Sequence, residues 1–162
     1  MLTQAELKRQ LHYNPETGIF TRLVSNTTWV KIGDITGSKT SDGYFCICVN
    51  KKVYRSHRLA WLYIYGSFPK TLIDHINMDR LDNRISNLRE ATYQQNSMNS
   101  KIQKSNKSGF KGVSFNKKLK KWVAASKLNG KQNYLGLFIT PELAHEAYQE
   151  FVSEHHGEFA RL

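Results

Sequence analysis

The sequence has few cysteines and no long apolar stretch, and so lacks the features of disulfide-rich proteins and of membrane proteins. Its only cysteines, Cys46 and Cys48, lie two residues apart in one predicted strand. That spacing is too short for a normal disulfide, and no partner cysteines exist for zinc. No stretch approaches the ~20 consecutive apolar residues of a membrane-spanning helix. The N-terminal residues also lack the apolar run of a secretory signal. These absences predict an intracellular protein, in the cytoplasm, with no membrane partner.

Acidic residues are also scarce, above all in one long segment. Asp and Glu number 13 against 24 Lys and Arg, which gives a formal net charge of +11. No acidic residue lies between Glu90 and Glu142. That interval holds Lys101, Lys104, Lys107, Lys111, Lys117, Lys118, Lys120, Lys121, Lys127 and Lys131. A generic solubility surface would intersperse both signs, so this excess predicts a polyanionic partner whose phosphates supply the missing anions.

The first hundred residues contain enough apolar material for a small α+β module. The capping-box pattern of Thr3 and Glu6 predicts a short first helix. Residues 14–18 have turn chemistry, and the periodicity of Ser56–Tyr65 predicts a helix that ends at Gly66. Short strands are predicted at Ile19–Leu23, Val30–Ile35, Tyr44–Val49 and Val53–Ser56.

A polar, lysine-rich linker is predicted at Ser100–Ser108, and we divide the chain into domains 1–103 and 104–162. After the linker the sequence predicts three strands and one helix: Phe110–Phe115, Lys121–Leu128, Asn133–Phe138, and a helix opened by Thr140-Pro141-Glu142. Asn129-Gly130 is a typical two-residue hairpin turn. The predicted apolar face of the helix is formed by Ala144, Ala147, Tyr148 and Phe151. The predicted fold class is therefore α+β throughout.

The densest chemically active segment lies between Leu72 and Asn99. A short apolar strand leads into Asp74 and His75, and a loop rich in Asn and Asp follows. A second strand begins at Asn87, and a helix from Thr92 carries Asn96 near its start. A hairpin followed by a helix brings the four side chains Asp74, His75, Asn87 and Asn96 together. A neutral imidazole accepts a proton from water near neutral pH, and carboxylate and amide oxygens suit a hard divalent ion.

Considered one at a time, Asp74, His75, Asn87 and Asn96 can each also be an ordinary surface or loop residue. His57 has two interpretations: it reaches the metal site, or it caps or packs the helix that starts beside it. Arg80 and Arg84 are predicted to contact DNA phosphates from the loop. Arg89 either belongs to the same surface or pairs with Asp82 or Glu90.

The segment from His57-Arg58-Leu59 through Asp74-His75 and Asn87-Leu88-Arg89 to Asn96 resembles the HNH endonuclease family, with its ββα-metal active site. It is most similar to the branch of phage-encoded homing endonucleases. The resemblance implies that His75 is the general base, that Asp74 and Asn96 hold the metal, and that Asn87 braces the loop. Asn96 stands where many members carry a second histidine, which favours one Mg²⁺ or Mn²⁺ over zinc.

Residues 108–162 resemble the Apetala/ethylene-response-factor type of DNA-binding domain. The similarity is carried by Lys-Gly-Val at 111–113, Lys-Trp at 121–122, Tyr-Leu-Gly at 134–136 and the final His-Gly-Glu-Phe-Ala. It implies a three-stranded sheet in the major groove of DNA, backed by one helix. With strand alternation, the groove-facing candidates are Lys111, Ser114, Asn116, Lys127, Gln132 and Tyr134. The turn lysines, Lys118 among them, are expected nearer the phosphates.

Together these patterns favour a metal-dependent endonuclease that cuts double-stranded DNA. The resemblance implies a free-standing phage homing or nicking enzyme, active in a host bacterium as a monomer or weak dimer. One alternative is a sequence-specific DNA-binding regulator with an inactive nuclease site. A second is an RNA-binding protein, although most aromatic residues are predicted to lie in the core rather than on a base-stacking surface.

Overall fold

A computed structural model describes residues 1–25, 29–102, 105–155 and 157–159. It divides into two compact units, Met1–Thr92 and Tyr93–Leu162. The predicted functional boundary at residue 103 falls outside the described residues and stays a prediction. Within the described parts of the chain, no helix is both long and apolar enough to cross a membrane.

The described residues of the first unit form two helices and three small antiparallel sheets. Its elements are α1 (Gln4–Gln10), β1 (Leu11–Asn14), β2 (Ile19–Arg22), β3 (Ser38–Lys39), β4 (Phe45–Val49), β5 (Lys52–Arg55), α2 (Ser56–Tyr65), β6 (Leu72–His75), a 3₁₀ turn (Ile85–Asn87) and β7 (Leu88–Ala91). Strand β1 pairs with β2, β4 lies between β3 and β5, and β6 pairs with β7. The last of these pairs carries the segment with the predicted site.

Both predicted helices of this unit are confirmed, and local chemistry explains their ends. The Thr3 hydroxyl accepts from the Glu6 N–H at 3.2 Å, and a Glu6 carboxylate oxygen accepts from the Thr3 N–H at 2.8 Å. Helix α2 ends at Gly66, whose φ of +82° closes the last turn at little steric cost. Leu59 and Leu62 of α2 are buried in the core, as their spacing predicts.

One strand prediction for this unit is wrong, and two short strands are not foreseen. Residues 30–35 form no strand, because Lys31 N–H donates to the Asp34 carboxylate and Gly33 adopts a φ of +92°, which makes a turn. Only Ile35 forms an isolated bridge, to Thr21. Strands β1 and β3 were not predicted. Leu11 of β1 lies four residues after Leu7 and so continues the helical spacing of α1, and β3 is two residues long.

The second unit is a three-stranded antiparallel sheet with one long helix and a short one. Its elements are α3 (Tyr93–Met98), β8 (Val113–Asn116), β9 (Lys121–Leu128), β10 (Lys131–Phe138), α4 (Pro141–His155) and a 3₁₀ turn (Gly157–Phe159). Strand β9 is central. The hairpin turn at Asn129-Gly130 is confirmed, since both residues have positive φ, +51° and +77°. The fold class of the protein is α+β, as predicted.

The core of the second unit lies between the sheet and α4. Ala124 and Ala144 are fully buried, and Trp122, Leu135 and Phe138 pack on them as predicted. The first strand begins at Val113 rather than at the predicted Phe110. The physical reason is Gly112: it has a φ of +75°, and a Cβ there would lie 2.0 Å from the Tyr148 ring. The chain therefore turns over the tyrosine before the strand starts.

Candidate active site

The hairpin of β6 and β7 places the first two predicted site residues. Asp74 and His75 are the last residues of β6, and both are buried, with 4% and 5% of their surface exposed. Asp74 stands opposite Arg89, and His75 stands opposite Leu88. Because directly opposed residues of an antiparallel pair share one face of the sheet, the register alone sets Arg89 beside Asp74.

Arg89 forms an ion pair with Asp74 in this hairpin. Its Nε and Nη2 donate to Asp74 Oδ2 at 3.0 and 2.9 Å. Both partners suggested by the sequence are therefore wrong. Asp82 is occupied by Arg84, and the Glu90 carboxylate accepts from the Lys70 backbone N–H. The Asp74 carboxylate is thus a buried anion whose charge is compensated by a cross-strand guanidinium.

Asn87 ties together the two ends of the loop that follows His75. Its amide nitrogen donates to the Asp82 carbonyl at 2.8 Å, and its amide oxygen accepts from the Asn77 N–H at 2.9 Å. A single side chain that donates and accepts at once is needed for this arrangement. These are the contacts that the predicted bracing role requires, and the catalytic importance of Asn87 stays a prediction.

His75 lies in a cluster of rings with Tyr44 and His57. The His75 and His57 ring centroids are 5.0 Å apart in an edge-to-face arrangement, and Tyr44 lies 6.1 Å from His75. Burial lowers the pKa of the His75 imidazole below its ordinary value, against the opposing effects of the Asn83 side chain and nearby carboxylates such as Asp74. The imidazole is therefore neutral near pH 7, which a general base requires.

His57 packs at the start of α2, beside His75. It is 5% exposed, and among the described residues its Nδ1 has no hydrogen-bond partner. Burial, followed by the nearby His75, Arg55 and Arg58, lowers the pKa of His57 to about 3. Of its two interpretations, packing at the helix start is the one that its position shows, and a direct role toward the metal stays a prediction.

The buried His57 predicts that the protein loses stability in mild acid. In the unfolded chain its pKa is near 6.5, so between pH 6.5 and 3 the unfolded state binds a proton that the folded state excludes. The free energy of unfolding should fall by up to about 1.4 kcal/mol per pH unit from this residue alone. Urea unfolding at pH 7 and 5 should show a smaller loss for His57→Phe than for the wild type. An equal loss in both proteins would contradict the assignment.

Besides Asn87, the loop after His75 has a second support that the sequence does not predict. This support is the turn at residues 14–18. The Tyr13 hydroxyl donates to the Asn83 carbonyl at 2.7 Å, and the Ile85 N–H donates to the Pro15 carbonyl at 3.4 Å. Gly18 has a φ of +72°, and a Cβ there would lie 2.5 Å from backbone atoms of Asn83 and Arg84. The turn and the loop are therefore in direct backbone contact.

Gly18→Ala should disturb this contact and slow any reaction that depends on His75. An alanine in the left-handed backbone conformation of residue 18 costs about 1–2 kcal/mol. Its Cβ would also clash with the Asn83 backbone and push it away. Gly33→Ala is the matched control, because Gly33 also has positive φ but open space at its Cβ position. Urea unfolding and DNA nicking, measured on both variants, should show the larger losses for Gly18→Ala. Equal losses would mean that the contact is unimportant.

The two loop arginines differ in their partners. Arg84 is bound through two bonds to both oxygens of Asp82, at 2.8 and 2.6 Å, and this pairing lowers the pKa of Asp82 to about 2. Arg80 is exposed and donates only to the Asp42 carbonyl, at 2.8 Å, among the hydrogen bonds of the described residues. The predicted phosphate contacts of Arg80 and Arg84 stay predictions, and Arg80 has more capacity for one.

The last predicted ligand, Asn96, lies on α3 of the second unit, where it is half-buried. Its participation in a metal site stays a prediction. In the described parts of the chain, no three His, Cys, Asp or Glu residues form a cluster suited to a metal ion. The predicted metal donors are thus one carboxylate, Asp74, and one amide.

On the sheet of the second unit, most predicted groove-facing residues share the exposed face. Gln132 stands opposite Lys127, Tyr134 opposite Ala125, and Ser114 opposite Val123. The side chains of Ser114, Lys127, Gln132 and Tyr134 are exposed, whereas Ala124 and Ser126 on the other face are buried. The predicted alternation of β9 is confirmed.

The structure places two other candidates of this face differently. Lys111 precedes β8, and its Nζ donates to the carbonyls of Met98 and Ser100. The Asn116 side chain accepts from the backbone N–H groups of Lys118 and Leu119, at 3.1 Å each, and so holds the turn between β8 and β9. Both side chains therefore serve the unit itself. The Lys118 side chain is exposed in that turn, as a phosphate contact requires.

The chain is similar to known proteins over the segment that contains the hairpin. Residues 54–98 match the profile of the HNH endonuclease family. The chain is 37% identical over 112 residues to Protein 3.8 of Escherichia phage T7, an alignment that covers 68% of this chain and 92% of that protein. It is 39% identical over 106 residues to the Uncharacterized HNH endonuclease L560 of Acanthamoeba polyphaga mimivirus, covering 64% of this chain and about half, 54%, of the mimivirus protein.

Among solved structures, the chain is similar to that titled "DNA binding and cleavage by the HNH homing endonuclease I-HmuI". The TM-score is 0.43 and the identity 17%, over 85% of this chain and 76% of the other. None of these comparisons supports a domain of the Apetala/ethylene-response-factor type, so that resemblance stays a prediction. The family profile falls on the hairpin that holds Asp74, His75 and Asn87, and the phage T7 protein aligns over nearly its whole length. On these grounds the chain belongs to the HNH endonuclease family.

Proposed function

We propose that this protein is a metal-dependent endonuclease that hydrolyses phosphodiester bonds of duplex DNA. The observation that carries the proposal is the pair of buried residues at the end of β6, Asp74 and His75, with Asn87 bracing the loop behind them. This pair lies inside the segment that matches the HNH endonuclease family. The net charge of +11 favours a nucleic-acid substrate.

His75 performs the proton transfer in the proposed reaction. Its imidazole is neutral because burial lowers its pKa, so a ring nitrogen accepts a proton from a water molecule. The water oxygen then forms a bond to phosphorus, and the bond from phosphorus to the 3′ oxygen breaks. The 3′ oxygen leaves with the electron pair of that bond and takes a proton from solvent water, which leaves a 5′ phosphate and a 3′ hydroxyl. The ring contacts with His57 and the bracing by Asn87 keep the base in place during this step.

A divalent ion would be held by Asp74 and Asn96 and would supply positive charge to the phosphate and the departing oxygen. The chemistry of the donors fits such an ion. Asp74 is a buried carboxylate, and an amide oxygen is a hard neutral donor, so Mg²⁺ or Mn²⁺ suits the pair better than zinc. The Arg89 guanidinium compensates the carboxylate charge and fixes its orientation across the hairpin.

Supercoiled plasmid separates this function from its alternatives. With Mg²⁺ or Mn²⁺ the protein should convert the plasmid to the relaxed form, and EDTA should prevent the conversion. A DNA-binding regulator would retard the plasmid without cutting it, and an RNA-binding protein would prefer RNA in competition. One nuclease site cuts one strand, so we expect nicking by the monomer and double-strand cleavage only through a second copy. The relatives in a phage and a giant virus favour a viral enzyme, and we propose for it the homing or nicking role that the sequence resemblance implies.

We further propose that the exposed sheet face of the second unit positions the enzyme on DNA. Ser114, Lys127, Gln132 and Tyr134 share that face, and a sheet of this size fits the major groove. The lysines of the β8–β9 turn would lie along the phosphates. Ten lysines with no acidic residue between Glu90 and Glu142 supply the charge for such binding.

Lys118→Ala and Lys127→Ala should change DNA binding in two different ways. Loss of a phosphate contact at Lys118 should weaken binding to every duplex alike and reduce the salt slope by roughly one unit. Loss of a base contact at Lys127 should relax preference at one position, at about 1–3 kcal/mol. The measurement is binding to specific and random duplexes at several salt concentrations. If both variants weaken both duplexes equally, the sheet acts only through its charge.

A further inference from the structure

Two arginines of the first unit contact one tyrosine ring beside the proposed catalytic base. The Arg55 guanidinium carbon lies 3.9 Å from the centroid of the Tyr44 ring, and that of Arg80 lies 4.8 Å from it. The same ring is 5.3 Å from the His57 ring and 6.1 Å from the His75 ring. Tyr44 thus connects two cations to the site by direct contact.

A tight turn between β3 and β4 holds the two arginines in position. Arg55 Nη2 donates to Asp42 Oδ2 at 2.7 Å, and Arg80 Nη1 donates to the Asp42 backbone carbonyl at 2.8 Å. The Thr40 hydroxyl donates to Asp42 Oδ1 at 2.5 Å, and the Gly43 N–H closes the turn on the Thr40 carbonyl. The end of β5, this turn and the loop after His75 therefore meet at Asp42.

The cluster carries more positive charge and more donors than its own structure uses. A guanidinium has five N–H groups. In the described part of the chain, Arg55 and Arg80 each direct one of them to a protein acceptor. Among the described residues only Arg55 pairs with the Asp42 carboxylate, whereas Arg80 bonds to the Asp42 backbone carbonyl, and the Arg55 side chain is 42% exposed. The remaining donors are those of a planar fork suited to an oxyanion.

The contrast with Arg84 shows what a purely structural pair looks like in the same unit. Arg84 binds Asp82 through two parallel hydrogen bonds that occupy both carboxylate oxygens. Arg55 binds Asp42 through one bond to one oxygen, because Thr40 takes the other. Arg84 thus directs two of its N–H groups to a matched pair with Asp82, whereas Arg55 directs one to Asp42.

We propose that Arg55 and Arg80, held on Tyr44, form a binding site for a backbone phosphate of DNA close to the one cleaved at His75. Asp42 is the resident counter-ion of this site and limits its affinity. Bound there, the strand would be fixed within a few nucleotides of the base, since the Tyr44 ring contacts both guanidinium groups and lies 6.1 Å from the His75 ring. The proposal rests on the proposed function, because it supposes that duplex DNA is the substrate.

The test compares four single variants of the full chain by their binding to a random-sequence duplex in EDTA. Arg55→Gln and Arg80→Gln should each weaken binding about tenfold, the effect of one charge-assisted hydrogen bond, and lower the salt slope by roughly one unit. Asp42→Asn should strengthen binding several-fold, because it removes the counter-ion and leaves both arginines. Lys52→Gln is the control: it removes one charge from the same strand, β5, at a position that alternation places on the opposite face.

Arg55 caps α2 with its backbone only, so glutamine there should leave the helix start intact. Arg55→Lys, which keeps the charge but loses the fork, should retain the salt slope and lose part of the affinity. If Arg55→Gln and Arg80→Gln bind like Lys52→Gln, or if Asp42→Asn weakens binding, the cluster is structural and the inference is wrong. Plasmid nicking by the wild type is scored separately. A wild type that binds in this pattern but never cuts would contradict the proposed function alone.

Discussion

His75→Ala should slow DNA cleavage by roughly 10²–10⁴-fold while its affinity for duplex DNA stays near that of the wild type. The substitution removes the proton acceptor, which acts in the transition state, and leaves the positive surface that binds phosphates unchanged. Single-turnover nicking of supercoiled plasmid gives the rate, and gel retardation in EDTA gives the affinity. His12→Ala is the matched control, because His12 is an exposed histidine of β1 in the same unit.

The same base predicts how cleavage depends on pH. Burial lowers the pKa of His75 below its ordinary value near 6.5, so the neutral, active form persists as pH falls from 7 to 6.5. The rate should therefore stay above half of its maximum down to pH 6.5 and decline at lower pH. A His75→Ala protein that cuts at the wild-type rate, or a wild-type rate that already falls by half between pH 7.5 and 7, would exclude His75 as the base.

Asp74→Ala should have the second large effect, on both activity and stability. It removes the only charged ligand proposed for the metal, so the loss of activity should exceed that of Asn96→Ala, and excess Mn²⁺ should partly restore only the latter. It also removes the partner of a guanidinium that is largely buried, since the Arg89 side chain is 12% exposed. Breaking such a pair from one side costs about 3–5 kcal/mol. Urea unfolding measures this cost.

Two further variants separate folding from metal binding at Asp74. Arg89→Met leaves the carboxylate without its guanidinium, so added Mg²⁺ or Mn²⁺ should raise the melting temperature of this variant more than that of the wild type. The double variant Asp74→Asn, Arg89→Met removes both charges, and we expect it to fold, to show no metal-dependent shift and to be inactive. Activity that depends on zinc and disappears with a zinc-selective chelator would overturn the proposed donor set.

Local chemistry in the sequence was sufficient to predict the helix starts and turns. The capping box of Thr3, the stop at Gly66 and the hairpin at Asn129-Gly130 each depend on residues within a few positions. Strand β1 is not evident from the sequence because Leu11 follows Leu7 at helical spacing, and pairing with β2 decides in favour of the strand. The apolar residues of segment 30–35, taken alone, favour a strand. The chain instead turns at Gly33, which has a positive φ.

The residue types of the site could be predicted from the sequence, but the residues that they pair with or contact could not. The pairing of Arg89 with Asp74 depends on the register of the hairpin, which the sequence leaves open because Asp82 and Glu90 are nearer in the chain. Gly18 supports the loop after His75 from a turn more than sixty residues away. A glycine after Asn-Pro-Glu-Thr indicates a turn, and only the packed structure shows what the turn touches.

The most direct test of the account is the fate of supercoiled plasmid with the wild-type protein and its Asp74→Asn, Arg89→Met variant, each with Mg²⁺, with Mn²⁺ and with EDTA. We expect nicked circles from the wild type with a divalent ion, intact plasmid in EDTA, and intact plasmid from the folded variant under every condition. Plasmid that is bound by the wild type but remains supercoiled with both metals would contradict this expectation.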